Sequence, residues 1–423
     1  MTQIKLPAGW TFAALIAGLT LGWALSGGPG DAAAAIAGPI GTVWLRALQM
    51  TIVPLVAALL VGGIAQMVAT ARAGPVARRT LLTFFAVLFA GTVFAAFAMP
   101  ALLEAFPIPG RAAAALTAGS APAPQIVPGI GAFFESLVAD NVIAAAAQTA
   151  MLPLVVFFVA LALAITRLAE PQRELMLRLF EALGNAMLTI IGWVLWAAPA
   201  GVFALALTVG LASGGGAFAA LAHYIVLVAS LGLVVMAAGY GVGTLGAKVS
   251  PARFARALLP AQAVAISTQS SLASLPAMLQ SCRLLAVRET TADFVLPLAV
   301  AVFRATSPGM NLGVAIYVGY LTGVELTPAA ITAGVTVALV TTVGSISLPG
   351  AISFVTSIGP IAIAMGVPVE PLALLVAVEM LPDIVRTVGN VTMDVAATAT
   401  VDRNTDSTDG PRIPVATAAD TAR

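Results

Sequence analysis

Residues 379–394, EMLPDIVRTVGNVTMD, concentrate charged and amide side chains inside a long apolar segment. At 3.6 residues per turn, six polar residues fall within an arc of roughly 100° along about 22 Å of one helix. They are Glu379, Asp383, Arg386, Thr387, Asn390 and Asp394. One ionised side chain at the centre of a bilayer costs on the order of 2.5–3.5 kcal/mol. Polar contact between packed helices explains one ion pair but not a whole stripe, so this face is predicted to bind a ligand.

The composition indicates a polytopic membrane protein. Of the 423 residues, 60% are hydrophobic and only 9% are charged. A soluble chain of this length needs more polar residues to cover its surface. The net charge of +1 gives no sign of a nucleic-acid partner. One cysteine, Cys282, excludes internal disulfides, and one histidine, His223, excludes a multi-histidine metal site. The N-terminal apolar run lacks a convincing cleavage site and is interpreted as the first helix.

Long apolar runs predict eight membrane spans and two interrupted segments. The spans lie near 9–27, 38–69, 79–106, 140–166, 180–212, 218–247, 290–322 and 366–402. Segment 252–283 is interrupted by STQSSLASLP, and segment 327–364 by TTVGSISLPGA. Since a full span needs about 20 residues, each half is too short to cross alone. Each segment is therefore predicted to be a re-entrant helical hairpin whose tip lies in protein or lines a cavity.

The distribution of lysine and arginine sets the predicted orientation. With both termini cytoplasmic, Arg111 is the one clearly external basic residue, provided that 252–283 enters from the cytoplasm and 327–364 from outside. Two oppositely inserted hairpins, each followed by a span, form an inverted repeat, and in secondary transporters such repeats enclose the substrate site. We expect a multi-pass protein of the inner (plasma) membrane.

The two hairpin tips and the polar stripe are the candidate binding elements. At the first tip, residues 267–274 precede a half-helix whose free backbone N–H groups suit a carboxylate; the alternative is a serine-rich kink that satisfies its own backbone. At the second tip, residues 344–350, unwound carbonyls can coordinate a hard cation and the loop can act as a lid; the alternative is an ordinary turn. In the stripe, the planar fork of Arg386 matches a substrate carboxylate. Asp383 either holds an ammonium or neutralises Arg386, and Asp394 with the backbone near Asn390 forms a candidate cation site.

Several of these motifs resemble one known family. QSSLASLP, LPGA and above all DIVRTVGNVTMD are similar to the dicarboxylate/amino acid:cation symporters, the glutamate-transporter homologues. The likeness continues in LQMTIVPLVAALLVGGIA, DNVIAAAAQTAMLPLVVFFVALALAI and WAAPAGVFAL, and it covers residues from about 10 to 402.

The resemblance implies an all-α fold of eight transmembrane helices plus two oppositely oriented hairpins, a homotrimer, and elevator-type movement of a transport domain against a scaffold. The implied division is 1–78, first two spans, scaffold; 79–106, third span, transport domain; 107–247, external loop and spans four to six, scaffold with part of the transport domain; 248–402, transport core; and 403–423, a disordered cytoplasmic tail.

The resemblance also implies site residues. Substrate contacts are implied for Ser270, Ser271, Ser347, Leu348, Pro349, Gly350, Asp383, Arg386, Thr387 and Asn390. Among these, Asp383 corresponds to the ligand of a substrate amino group and Arg386 to the ligand of a side-chain carboxylate. A sodium site is implied for Thr306, Thr342, Val343, Ser345, Asn390 and Asp394.

The seventh span departs from the family pattern. The family usually carries Asn-Met-Asp-Gly-Thr there, whereas residues 303–317 read FRATSPGMNLGVAIY, without the aspartate, and Asn311 aligns only through a local insertion. Arg304 replaces a small residue, which is costly in a membrane unless the arginine is paired. One hypothesis is that its guanidinium takes the place of a sodium ion and balances Asp394 or Glu379; the alternative is local pairing without effect on coupling. At the second tip, Ser347 and Ile352 replace usual glycines.

These observations favour a secondary active transporter, not an enzyme, that carries a C4-dicarboxylate or an acidic amino acid by alternating access with Na⁺ or H⁺ as coupling ion and no other cofactor. A sodium-independent carrier or exchanger of an organic anion is the alternative. An intramembrane hydrolase, built on Ser270 or Ser271 with His223 or on Asp383 with Asp394, is disfavoured, since the two aspartates lie about 16 Å apart on one helix. A channel is the third possibility, and unitary currents distinguish it from a carrier.

Overall fold

The computed structural model of the protein describes residues 8–26, 30–72, 74–109, 135, 137–213, 216–344 and 350–404. Over these ranges the regular secondary structure is helical and no strand is present, which confirms the predicted all-α class. The α-helices, in chain order, are α1 (Ala8–Leu25), α2 (Gly30–Gln49), α3 (Ile52–Ala71), α4 (Pro75–Ala105), α5 (Val142–Ala147), α6 (Met151–Ile165), α7 (Glu170–Trp196), α8 (Ala198–Ser213), α9 (Gly216–Gly241), α10 (Pro251–Thr268), α11 (Leu275–Leu284), α12 (Glu289–Val302), α13 (Ser307–Thr322), α14 (Pro328–Gly344), α15 (Gly350–Ala364), α16 (Leu372–Leu375) and α17 (Met380–Arg403).

Four helical stretches of the described residues are long and apolar enough to cross a membrane. They are Ala32–Ala71, Pro75–Ala105, Glu170–Trp196 and Ala217–Gly246. Shorter apolar helices lie at Gly9–Leu25, Met151–Ile165, Ala198–Leu211 and Pro328–Thr342. The number of eight spans stays a prediction.

Helix α7 begins ten residues before the predicted span at 180–212. Its first turns carry exposed i,i+3 and i,i+4 ion pairs, Arg173 with Glu170 and Arg178 with Glu174. Such pairs stabilise a helix in water, so α7 extends through these polar turns. A prediction from hydropathy alone therefore places the start of the helix too late. The predicted span is also divided at Ala197, where α7 ends and α8 begins.

Both interrupted segments consist of two helices that pack against each other. In the first, α10 ends at Thr268, and the next residue, Gln269, has a left-handed φ of 50° that turns the chain toward α11. In the second, α14 and α15 flank residues 345–349, which lie outside the described residues. The described residues thus contain a contacting helix pair in each segment, and their re-entrant insertion in the membrane stays a prediction.

The predicted seventh span, 290–322, is not one continuous helix. Helix α12 ends at Val302, Phe303 has φ −111° and ψ 77°, and α13 begins at Ser307 with Pro308 in its first turn. Proline lacks the N–H that a continuing helix needs and clashes with the preceding turn, so the chain leaves the helix before it. Residues 303–306 are called the α12–α13 break below.

Helix α17 lies at the centre of this part of the fold. It packs against α4, α9, α10, α11 and α12. Nearly all of its side chains from Pro382 to Asp402 are buried, on both its polar and its apolar faces. Because water does not reach them, the polar groups of α17 must find partners in the protein or in a ligand.

Candidate functional site

An ion cluster lies at the N-terminal end of α17. Arg386 Nη1 donates to Asp383 Oδ1 at 2.9 Å and also pairs with Glu379 Oε1. Tyr224 on α9 donates its hydroxyl to Glu379 Oε2 at 3.2 Å. All four side chains are buried. The i,i+3 and i,i+7 spacing on one helix face brings both carboxylates to one guanidinium, and the helix dipole favours negative charge at this end.

One edge of the Arg386 guanidinium remains available. Arg386 is 2% exposed, yet among the described residues Nε and Nη2 have no hydrogen-bond partner. A buried donor left without a partner costs about 1–3 kcal/mol, and more when it is charged. Nε and Nη2 donate side by side and match the two oxygens of a carboxylate, so a planar anion is the chemical complement of this edge.

The α12–α13 break is attached to α17 through Thr306. The backbone N–H of Thr306 donates to Asn390 Oδ1 at 2.9 Å, and its hydroxyl lies 2.8 Å from the same oxygen and 2.9 Å from the carbonyl oxygen of Arg386. Gly389 permits this approach, because a Cβ there would lie 2.5 Å from Thr306 Cγ2. Asn390 therefore uses its carbonyl oxygen to hold the break.

Asp394 follows Asn390 by about one turn on the same face of α17. It is 1% exposed, and neither carboxylate oxygen has a hydrogen-bond partner within the described ranges. Arg304, in the break and 8% exposed, interacts electrostatically with Asp394 and Asp383. Glu379, the other predicted partner of Arg304, pairs instead with Arg386.

The first hairpin tip satisfies much of its own backbone. Ser270 Oγ accepts from the N–H of Ala273 at 3.2 Å, and the Ser270 carbonyl accepts from Ser274 N at 3.1 Å and from Ser274 Oγ at 2.9 Å. Ser271 is buried and Ser270 half-buried. These hydrogen bonds form the local serine turn that the sequence offered as the alternative to an anion site. The substrate role of Ser270 and Ser271 stays a prediction.

The remaining predicted site residues are distributed as follows. Thr387 is buried on α17, and Thr342, buried near the end of α14, donates its hydroxyl to the Ala338 carbonyl at 2.7 Å. Val343 lies in the last turn of α14 and Gly350 at the start of α15. Four predicted residues lie outside the described residues: Ser345, Ser347, Leu348 and Pro349. The sodium ligand set is therefore described only in part.

The sequence did not predict several polar partners of α17, among them Tyr224 and Gln262. Besides Tyr224, Gln262 on α10 donates to Thr392 Oγ1 at 2.9 Å and to the Tyr240 hydroxyl at 3.0 Å. Each polar side chain stands inside an apolar run, where a hydroxyl or amide must find a partner. That was the usable signal, but it does not name the partner. His223 contacts two groups of the protein, with Nε2 2.9 Å from the Phe106 carbonyl oxygen and Nδ1 3.2 Å from the Tyr317 hydroxyl.

Comparison with known proteins gives a consistent family match. The model of the sodium:dicarboxylate symporter family matches residues 8–404. The proton/sodium-glutamate symport protein of Bacillus subtilis is 27% identical over 90% of this chain and 88% of its own length. The proton/glutamate-aspartate symporter of Escherichia coli is 26% identical over 84% and 82%. The neutral amino acid transporter B(0) of Oryctolagus cuniculus is 27% identical over 94% and 80%. These relatives differ in whether their named substrates are acidic or neutral.

Proposed function

Because the chain belongs to the sodium:dicarboxylate symporter family, we propose that it is a secondary active transporter of a small acidic solute, a C4-dicarboxylate or an acidic amino acid. The family and the relatives are transporters, and the protein is a membrane transport protein rather than an enzyme. The observation that carries the choice of an acidic solute is the Nε/Nη2 edge of Arg386, a buried bidentate donor without a partner among the described residues.

The cluster around Arg386 supports recognition of two separated charges on one solute. One carboxylate binds the Nε/Nη2 edge, and Asp383 lies beside Arg386 as a ligand for an amino group. A second carboxylate binds backbone N–H groups at the first hairpin tip, near Ser270 and Ser271, in the turn that precedes α11. A neutral amino acid has only one carboxylate, so it leaves either the Arg386 edge or the first hairpin tip without an anion, and an empty Arg386 edge is unfavourable for a buried charged donor.

Transport follows the alternating access of inverted-repeat transporters. In this proposal both hairpins, α12, α13 and α17 move together against a trimeric scaffold in the inner membrane, with both termini in the cytoplasm. The second tip, including Ser347 to Gly350, closes over the solute. The relatives' names include both proton and sodium coupling, and the coupling ion here is Na⁺ or H⁺.

Uptake into proteoliposomes tests this function. Labelled succinate, aspartate and alanine are supplied under an inward Na⁺ gradient, an inward H⁺ gradient, or neither, with protein-free liposomes as the blank. We expect accumulation of succinate or aspartate but not of alanine. Arg386→Ala should abolish it, whereas Arg403→Ala, an exposed arginine at the other end of α17, should not. Uptake of alanine in preference to both acidic solutes would refute the proposal.

A further inference from the structure

We propose that the guanidinium of Arg304 serves as a built-in cation for Asp394, in place of a sodium ion at this position. The inference rests on the proposed transport function only for its consequence, which is that each transport cycle needs one sodium ion fewer. The charge arrangement itself is a property of the folded chain.

The geometry places Arg304 beside a position that attracts positive charge. Arg304 follows the C-terminal end of α12 by two residues, and helix C-termini favour cations. Thr306, two residues later, is hydrogen-bonded to Asn390, and Asp394 lies one helical turn beyond Asn390. The break therefore holds Arg304 next to the stretch of α17 that carries Asp394, and the two charges interact.

The charges of the buried cluster require this cation. Three carboxylates, Glu379, Asp383 and Asp394, are buried together with two guanidinium groups. Arg386 is engaged by Glu379 and Asp383, whereas Arg304 interacts with both Asp383 and Asp394 and is the cation that acts on Asp394. A buried carboxylate that stays ionised without a compensating charge is strongly unfavourable, so in this proposal the ionised Asp394 of a variant without Arg304 binds another cation.

The residues around Asp394 fit a sodium ion poorly. A hard cation needs several oxygen ligands, but Asn390 Oδ1, the neighbouring side-chain oxygen, already accepts from the N–H and hydroxyl of Thr306. A sodium ion there would also lie close to the like charge of Arg304.

The test measures sodium binding through thermal unfolding of the purified full-length protein, without substrate. Wild type, Arg304→Gln, Arg304→Lys, Arg304→Gln/Asp394→Asn and the exposed-site control Arg403→Gln are compared in NaCl and in choline chloride of equal ionic strength. Guanidinium at low millimolar concentration serves as a second probe. Tryptophan fluorescence reports the melting temperature.

We expect Arg304→Gln to melt below wild type and to gain a stabilisation by Na⁺ or guanidinium beyond any that wild type and Arg403→Gln show. At cation concentrations above the dissociation constant, each tenfold rise in the free cation concentration should raise the folded-to-unfolded ratio of Arg304→Gln roughly tenfold. Arg304→Lys should behave as wild type. The double variant should lose the added ion dependence, because no carboxylate then needs a cation.

Equal Na⁺ dependence in wild type and Arg304→Gln would overturn the proposal. If Arg304→Gln cannot be purified, the double variant decides: recovery of a folded protein supports charge balance, and failure to recover refutes it. Because no substrate is present, failure here leaves the uptake result intact, and loss of uptake in wild type leaves this result intact.

Discussion

Replacing Gly389 with alanine should push the α12–α13 break away from α17. The new Cβ would lie 2.5 Å from Thr306 Cγ2, while the other nearby atoms, on Gly232 and Met236, are 3.6 Å away. One methyl group therefore accounts for the clash. Overpacking of this kind costs about 1–3 kcal/mol, and alanine recovers roughly 0.8–1.0 kcal/mol of helix propensity over glycine. The net loss of stability should be between about 0 and 2 kcal/mol.

A second substitution makes this prediction specific. Thr306→Ser removes Cγ2 but keeps the hydroxyl that reaches Asn390 Oδ1 and the Arg386 carbonyl. Alone it should cost about 0.5–1.5 kcal/mol, as for one buried methyl group. In the double variant the alanine methyl occupies the space that Cγ2 leaves, so the two changes should compensate by about 1–3 kcal/mol.

The assay is a double-mutant cycle of detergent-induced unfolding, with uptake measured on the same four proteins. Gly389→Ala should slow uptake because it displaces Thr306 and, with it, the break that carries Arg304. The double variant should recover both stability and uptake. Additivity within about 0.5 kcal/mol would show that the two positions do not touch, and would refute the packing described here.

Three further outcomes follow from the buried polar contacts. Arg386→Lys should weaken binding of dicarboxylates roughly 10- to 150-fold, a loss of about 1.5–3 kcal/mol. Two donors of the lysine ammonium would replace the contacts that Nη1 makes, so only one donor remains for the solute. Isothermal titration checks this loss of affinity, and an equal loss for monocarboxylates would contradict the prediction. Asp402→Asn should destabilise by about 3–5 kcal/mol, because Arg288 donates to its carboxylate at 2.7 Å with both side chains buried; Arg288→Met/Asp402→Leu should recover much of this loss in thermal unfolding, and no recovery would argue against an ion-pair effect. Tyr224→Phe removes one hydrogen bond to Glu379 and should cost about 0.5–1.5 kcal/mol; unchanged stability in the same assay would argue against this contact.

Sequence periodicity predicted the polar stripe on the last helix, and local geometry explains why it succeeded. Side chains three, four and seven residues apart share one helix face whatever surrounds the helix. The grouping of Glu379, Asp383 and Arg386 therefore needed no tertiary information. The signal for the two interrupted segments was equally local, because a cluster of Ser, Gly or Pro residues disfavours a helix at that point.

The α12–α13 break shows where hydropathy was insufficient. Residues 290–322 are largely apolar and carry two charged residues, Asp293 and Arg304. Such a run predicts a span whether or not the helix is continuous. The break forms where Thr306 finds hydrogen-bond partners on α17 that replace the helical ones it gives up.

The sequence by itself determined that this is an α-helical membrane protein of the symporter family, and which face of its last helix carries charge. Only the tertiary structure decided the partners: Tyr224 with Glu379, Thr306 with Asn390, and, for Arg304, Asp383 and Asp394 rather than Glu379. The first two pairs are separated by 155 and 84 residues along the chain. A charged or hydroxyl group in a buried apolar helix needs a partner, and the sequence shows this need. The packing of distant helices determines which residue is the partner.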